Sequence, residues 1–87
     1  MKKSCTHLDQ IKKNVRARTP SGCAECLVSG DKWVSLRLCL TCGHVGCCDS
    51  SKNKHATKHF KETGHPIMRG YKFKHRFRWC YIDQMIV

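Results

Sequence analysis

Cysteine and histidine recur along this chain at the spacings that a metal ion imposes on its ligands. Cys5-x-His7 comes first, then Cys23-x-x-Cys26 and Cys39-x-x-Cys42, then Cys47, His55, His59, His65 and Cys80, so seven of the eight cysteines and four of the six histidines fall into one series. Thiolate sulfur and neutral imidazole nitrogen are the donors that Zn2+ takes in tetrahedral sites, and a C-x-x-C pair brings both sulfurs to about 2.3 Å from one ion when the chain turns tightly between them. Four such donors leave no open position, which makes a structural site rather than a catalytic one. Disulfides are the alternative use of eight cysteines. A disulfide framework requires neither C-x-x-C pairs nor interleaved histidines.

The rest of the chain explains why metal is needed. It has 87 residues, and a domain of that size buries only roughly 60–65% of its unfolded surface, so core burial alone leaves it marginal. Met1-Lys2-Lys3 runs into polar Ser4, Thr6 and His7 rather than an apolar segment, so the expected location is cytoplasmic, where thiols stay reduced. The apolar runs are a few residues long, far short of the roughly 20 that span a bilayer. A single domain over residues 1–87, and a monomer, is the expectation. Lys and Arg number 17 against 6 Asp and Glu, a formal net charge of +11. Such a surface attracts anions: nucleic acid, acidic lipid or an acidic protein.

The elements that must position these ligands are short. Leu8, Ile11 and Val15 recur at helical spacing, which predicts an amphipathic helix over residues 8–17, stopped by Thr19-Pro20-Ser21-Gly22. Residues 32–40 alternate, with Val34, Leu36, Leu38 and Leu40 on one face of a predicted strand that ends in the second C-x-x-C turn. Residues 52–62 predict the strongest helix, capped by Ser50 or Ser51 and stopped by Gly64, with His55 and His59 on one face. After Ile67 and Met68, Gly70 turns the chain into a last strand over 71–82. There Tyr71, Phe73, His75, Phe77, Trp79 and Tyr81 alternate with Lys72, Lys74, Arg76 and Arg78. The expected fold is a small α+β domain: a short antiparallel sheet with a packed helix and interleaved, cross-brace-like zinc sites.

The order Cys23-x-x-Cys26, Trp33, Cys39-Leu40-Thr41-Cys42-Gly43-His44-Val45-Gly46-Cys47, Lys54-His55-Ala56-Thr57-Lys58-His59-Phe60 and Thr63-Gly64-His65-Pro66 resembles the ubiquitin-protease-type (UBP-type) zinc finger. The resemblance extends from Cys5 to Tyr81, and the Cys48-Asp49-Ser50-Ser51 segment is similar to stand-alone bacterial members. It implies interleaved ligand sets: Cys23, Cys26, Cys47 and His55 on one zinc, and Cys39, Cys42, His59 and His65 on a second. It also implies a third site that pairs the N-terminal Cys-x-His with a late Cys-x-x-Cys. Here that set reads Cys5, His7, Cys80 and Asp83, and a carboxylate oxygen is an acceptable zinc ligand. The family spacing selects Cys47 over Cys48 and leaves Cys48, His44 and His75 outside the sets.

Many members of that family capture the free diglycine tail of ubiquitin with a stacking Trp, a late Trp and Tyr, and an Arg just after the first site's third Cys. Trp33, Trp79 and Tyr81 match the aromatic residues, but Cys48-Asp49-Ser50 stands where the Arg would be. The expectation is therefore a non-catalytic binding module for a peptide C-terminus, in which Arg37, Arg76 or Arg78 takes the carboxylate. Diglycine capture does not carry over. The alternative partner is single-stranded nucleic acid on the aromatic and cationic last strand, with rings stacking bases and cations tracking phosphates. Catalysis is disfavoured. Only the site with Asp83 could keep an open position, Glu25 and Glu62 do not pair, and Cys48 has no dedicated base.

Overall fold

The computed structural model describes residues 7–12, 15–71 and 77–87. Five short strands form one antiparallel sheet: β1 (Leu36–Cys39), β2 (Val45–Cys47), β3 (Ile67–Tyr71), β4 (Arg78–Cys80) and β5 (Met85–Ile86), in the order β2-β1-β3-β4-β5. Two helices accompany it, α1 (Ala24–Ser29) and α2 (His55–Thr63), and α2 packs on β2 and β1. The architecture is thus the α+β domain expected. Leu36 faces Cys47 across one ladder and Cys39 faces Met68 across the other, while Ile67 faces Cys80. That register draws cysteines from β1, β2 and β4 into the interior.

The largest fully buried side chains are the aliphatics Leu36, Leu38, Val45 and Ile67 and the thiols Cys23, Cys26, Cys47 and Cys80. Ile11, Val15, Ala17, Trp33, Tyr71 and Val87 pack around them. Aliphatic burial at roughly 1.5–3 kcal/mol per large side chain is a small driving force here. The interior is built as much from donor atoms as from hydrocarbon.

Several expectations are corrected. Among the described residues of the stretch 8–17 only Leu8–Gln10 is helical, as a 3-10 turn, and Lys13 and Asn14 lie outside the described residues. Instead Lys12 N–H donates to Leu40 C=O at 2.9 Å and Arg18 N–H to Gly43 C=O at 2.9 Å, both acceptors in the turn between β1 and β2. An isolated helix of that length has too few turns to offset nucleation, so tertiary hydrogen bonds decide. The first C-x-x-C is not a free turn but the start of α1, with Cys23 as its N-cap and Gly30 (φ 79°) as its C-cap. The strand predicted over 32–40 shortens to β1, because Val34 N–H turns aside to donate to Ser51 Oγ at 2.8 Å, leaving Val34 63% exposed. Ser51 is thereby spent and does not cap α2. Residue Lys54 (φ 52°) leads in, and His55 N–H donates to Cys47 Sγ at 3.1 Å, so a sulfur does the capping. Gly64 (φ 74°) ends α2 as expected. Gly70 lies inside β3 rather than at a turn, and Tyr81 to Gln84 form a turn that splits off β5. Lys72, Phe73, Lys74, His75 and Arg76 lie outside the described residues.

Candidate metal centres and recognition groove

α1, β2 and the first turn of α2 converge on one cluster. His55 Nδ1 lies 3.3 Å from Cys23 Sγ, 3.4 Å from Cys26 Sγ and 3.5 Å from Cys47 Sγ. In a second cluster His59 Nε2 lies 3.3 Å from Cys42 Sγ and His65 Nδ1 lies 3.6 Å from Cys39 Sγ. Within each foursome the candidate ligand atoms all fall within 4.8 Å of one another. A tetrahedral ion with Zn–S near 2.3 Å and Zn–N near 2.0–2.1 Å requires an S···N edge of roughly 3.5 Å. Both donor sets therefore fit zinc in element and in spacing. His55 and His59, one turn apart on α2, reach different clusters with different ring nitrogens, which pins the helix at two points.

Electrostatics supports the fit. Burial pushes the Cys23 thiol up to about 12 and raises those of Cys39 and Cys47, although backbone N–H groups at Cys26, at Thr41 and Cys42, and at His55 pull against it. Buried thiols crowded this closely ionise only beside a cation, and Zn2+ is such a cation. Burial likewise lowers His59 to about 4, aided by His44 and His65, which leaves its ring neutral, as a ligand must be.

A third grouping joins the two ends of the described chain. His7 Nδ1 lies 3.1 Å from Asp83 Oδ2 and 3.6 Å from Cys80 Sγ, and Cys80 Sγ lies 3.7 Å from that same oxygen. Cys5, the remaining candidate, lies outside the described residues.

His44 is the residue that sequence reasoning left aside. It is 5% exposed, its Nε2 lies 2.9 Å from both Glu25 carboxylate oxygens, and its ring stacks on His59 with centroids 4.0 Å apart and planes at 7°. Burial raises the Glu25 carboxyl, but the hydrogen bond and charge of His44 carry it below the usual range. The available signal was position: His44 is midway between Cys42 and Cys47, each in a different cluster.

On the other side of α2 a groove of about 450 Å³ opens between helix and sheet. Its walls include Phe60, Met68, Phe77, Trp79 and Tyr81, and Arg37, Lys61, Cys48 and Asp49 also line it. Phe60 stacks on Tyr81 with centroids 4.8 Å apart and planes at 9°. The Arg37 guanidinium is held 4.9 Å above the Phe77 ring, and its Nη1 donates to Leu36 C=O at 3.0 Å. Thr57 Oγ1 donates to Asp49 Oδ1. Of the predicted recognition residues, Trp79, Tyr81 and Arg37 meet here. Trp33 does not: its ring lies where a Cβ on Gly22 would come within 2.2 Å, and it packs against the core. Arg78 Nε donates to Val87 C=O at 3.2 Å rather than lining the groove, and Arg76 lies outside the described residues.

Residues 23–87 match the family model described as the Zn-finger in ubiquitin-hydrolases and other protein. The chain belongs to the UBP-type zinc-finger family. This finger is 36% identical over 69 residues to ubiquitin carboxyl-terminal hydrolase 14 of Schizosaccharomyces pombe, covering 75% of the chain and 9% of the relative. It is 39% identical over 59 residues to the NAD-dependent deacetylase sir2A of Dictyostelium discoideum, covering 68% and 10%. The finger thus spans about a tenth of the length of these relatives. The solution NMR structure of protein RPA1320 from Rhodopseudomonas palustris superposes with a TM-score of 0.77 at 51% identity, covering 99% of this finger and 82% of that chain. Among the described residues no helix is long and apolar enough to cross a membrane.

Proposed function

We propose that this finger is a non-catalytic recognition module whose groove takes the C-terminal tail of a peptide or protein, with the carboxylate paired to Arg37. The supporting observation is Arg37 itself. Its guanidinium is fixed by Phe77 and Leu36 at the edge of an apolar groove walled by Trp79 and Tyr81. A cation already fixed in place loses little side-chain freedom when it binds an anion. An extended tail would lie along the rings of Phe60, Tyr81 and Trp79. Arg37 stands in for the missing family Arg, and Asp49 narrows the choice of tails.

The ligand sets belong to the same proposal: zinc on Cys23, Cys26, Cys47 and His55, zinc on Cys39, Cys42, His59 and His65, and a third zinc on Cys5, His7, Cys80 and Asp83. When bound, the metal supplies the charge that keeps the buried thiolates ionised and ties α1, β2 and α2 together. Native mass spectrometry should count three zinc ions; two would leave the chain ends untied.

The tail-binding test is a chemical-shift titration with short peptides ending in a free carboxylate and with the same peptides amidated. Free-acid peptides should shift the Trp79 and Tyr81 signals, and Arg37→Ala should weaken binding about tenfold or more, as losing a hydrogen bond between charged groups of about 1.5–3 kcal/mol requires. Equal responses to acid and amide would reject tail capture. The nucleic-acid alternative rests on Lys72, Lys74 and Arg76, outside the described residues. A steep salt slope with single-stranded oligonucleotides, together with no peptide response, would favour it.

A further inference from the structure

Between the two four-ligand clusters runs a line of direct contacts that neither ligand set uses. Glu25 lies between Cys23 and Cys26 in the first turn of α1, so any ion holding that turn also fixes Glu25. Both its carboxylate oxygens lie 2.9 Å from His44 Nε2. A carboxylate only accepts, so Nε2 carries the hydrogen and donates to Glu25. His44 is buried, and its backbone carbonyl accepts from Cys39 N–H at 2.8 Å, inside the second C-x-x-C turn. Its ring lies flat on His59, whose Nε2 faces Cys42 Sγ at 3.3 Å.

We infer that the Glu25–His44 pair couples the two clusters, by holding the His59 ring in the plane the second cluster needs once the first has ordered α1. The inference rests on the ligand assignment proposed above. The physical reason is rotational. An imidazole swings about two side-chain torsions, and a ligand held in one plane loses less freedom when it meets its ion. His44 supplies that plane, and Glu25 fixes His44. A buried imidazole N–H deprived of its acceptor would instead seek another partner and tilt the stack. Residues holding a metal ligand in place typically contribute 10–100-fold in metal affinity, although neither Glu25 nor His44 belongs to the proposed sets.

Cadmium-113 NMR of the reduced, metal-free full chain, titrated with Cd2+, resolves the clusters because one offers three thiolates and the other two; the third proposed set also offers two, and its signal is identified by its loss in Asp83→Ala. In the wild-type chain both signals should grow together at substoichiometric cadmium. With Glu25→Ala, which removes the acceptor, the three-thiolate signal should fill first and the two-thiolate site should weaken about tenfold. His44→Phe, which keeps a flat ring but removes the donor, should reproduce that loss, and the double variant should be no worse than either single one. Parallel filling that persists in Glu25→Ala would mean that whole-domain folding alone links the sites, and would overturn the coupling. So would equal losses at both sites, or losses that add in the double variant. Absence of both signals in the wild-type chain would overturn the ligand assignment, and the coupling with it.

Discussion

His59 carries a consequence for pH. Its folded-state value near 4 lies below the ordinary 6.5, chiefly through burial. The unfolded chain takes up this proton near 6.5, whereas the folded site resists it until about 4. The stability His59 contributes is therefore fully present above about 6.5 and is lost as pH falls toward 4. Proton competition for zinc-bound thiolates acts in the same direction. Thermal melts of the zinc-loaded protein at pH 7, 5.5 and 4 should show the midpoint falling by at least roughly 5 °C, with zinc released to a chromophoric chelator; a constant midpoint contradicts this. A second residue-scale prediction concerns Asp49, which lines the groove and belongs to the Cys48-Asp49-Ser50 stretch that the family resemblance aligns with an Arg. Asp49→Arg removes a repulsion and adds a partner for a tail carboxylate, so free-acid peptides should bind roughly fivefold more tightly, the scale of an exposed ion pair. The donors were legible because zinc chemistry restricts both residue type and spacing. His44 was not, because a residue that supports a ligand leaves no spacing rule of its own, and the place of Trp33 was not, because core and slot use the same side chain.

At the scale of elements, β2 and α2 approach closely enough to need a missing side chain. A Cβ on Gly46 would come within 2.5 Å of Ala56 N, 2.7 Å of Ala56 Cα and 2.9 Å of His44 Cε1. The first two are helix backbone and cannot swing aside, so Gly46→Ala must push α2 off the sheet. The expected cost is about 1–3 kcal/mol, read as a melting-temperature drop of roughly 4–8 °C per kcal/mol in a domain of this size. A variant melting like the parent would show that the sheet yields instead. The same element explains how far pattern reading reaches. The end of α2 was legible from Gly64, a local signal with a positive φ. Its start was not, because the capping atom is Cys47 Sγ, which approaches from a strand eight residues back. Leu8, Ile11 and Val15 carried a helical period, yet Ile11 and Val15 pack on the core from outside the 3-10 turn, where apolar spacing says nothing about backbone hydrogen bonding. The break between β4 and β5 was hidden because alternation continues through Tyr81 in sequence while Tyr81 N–H donates to Pro66 C=O at 2.8 Å.

For the molecule as a whole, the question is what replaces a large apolar interior. The strands have two to five residues each, and the aliphatic centre is limited to a few side chains. Sheet hydrogen bonds of this extent do not hold a fold without burial behind them. The three groupings instead join segments far apart in sequence: α1 to α2, the second C-x-x-C turn to His65, and His7 to Cys80 and Asp83. Each joined loop removes freedom from the unfolded chain, most where the loop is longest, and the longest is the one closed through His7. Removing metal leaves buried, protonated thiols and nothing to join those segments. Exhaustive chelation under reducing conditions should therefore abolish the cooperative melt and the near-ultraviolet signals of Trp33 and Trp79, and added zinc should restore both. Asp83→Ala separates the joints: it should lose one zinc and lower the melting temperature while leaving a cooperative transition, because the two four-donor clusters persist. A chain that melts cooperatively at an unchanged temperature after chelation would place its stability in hydrocarbon after all.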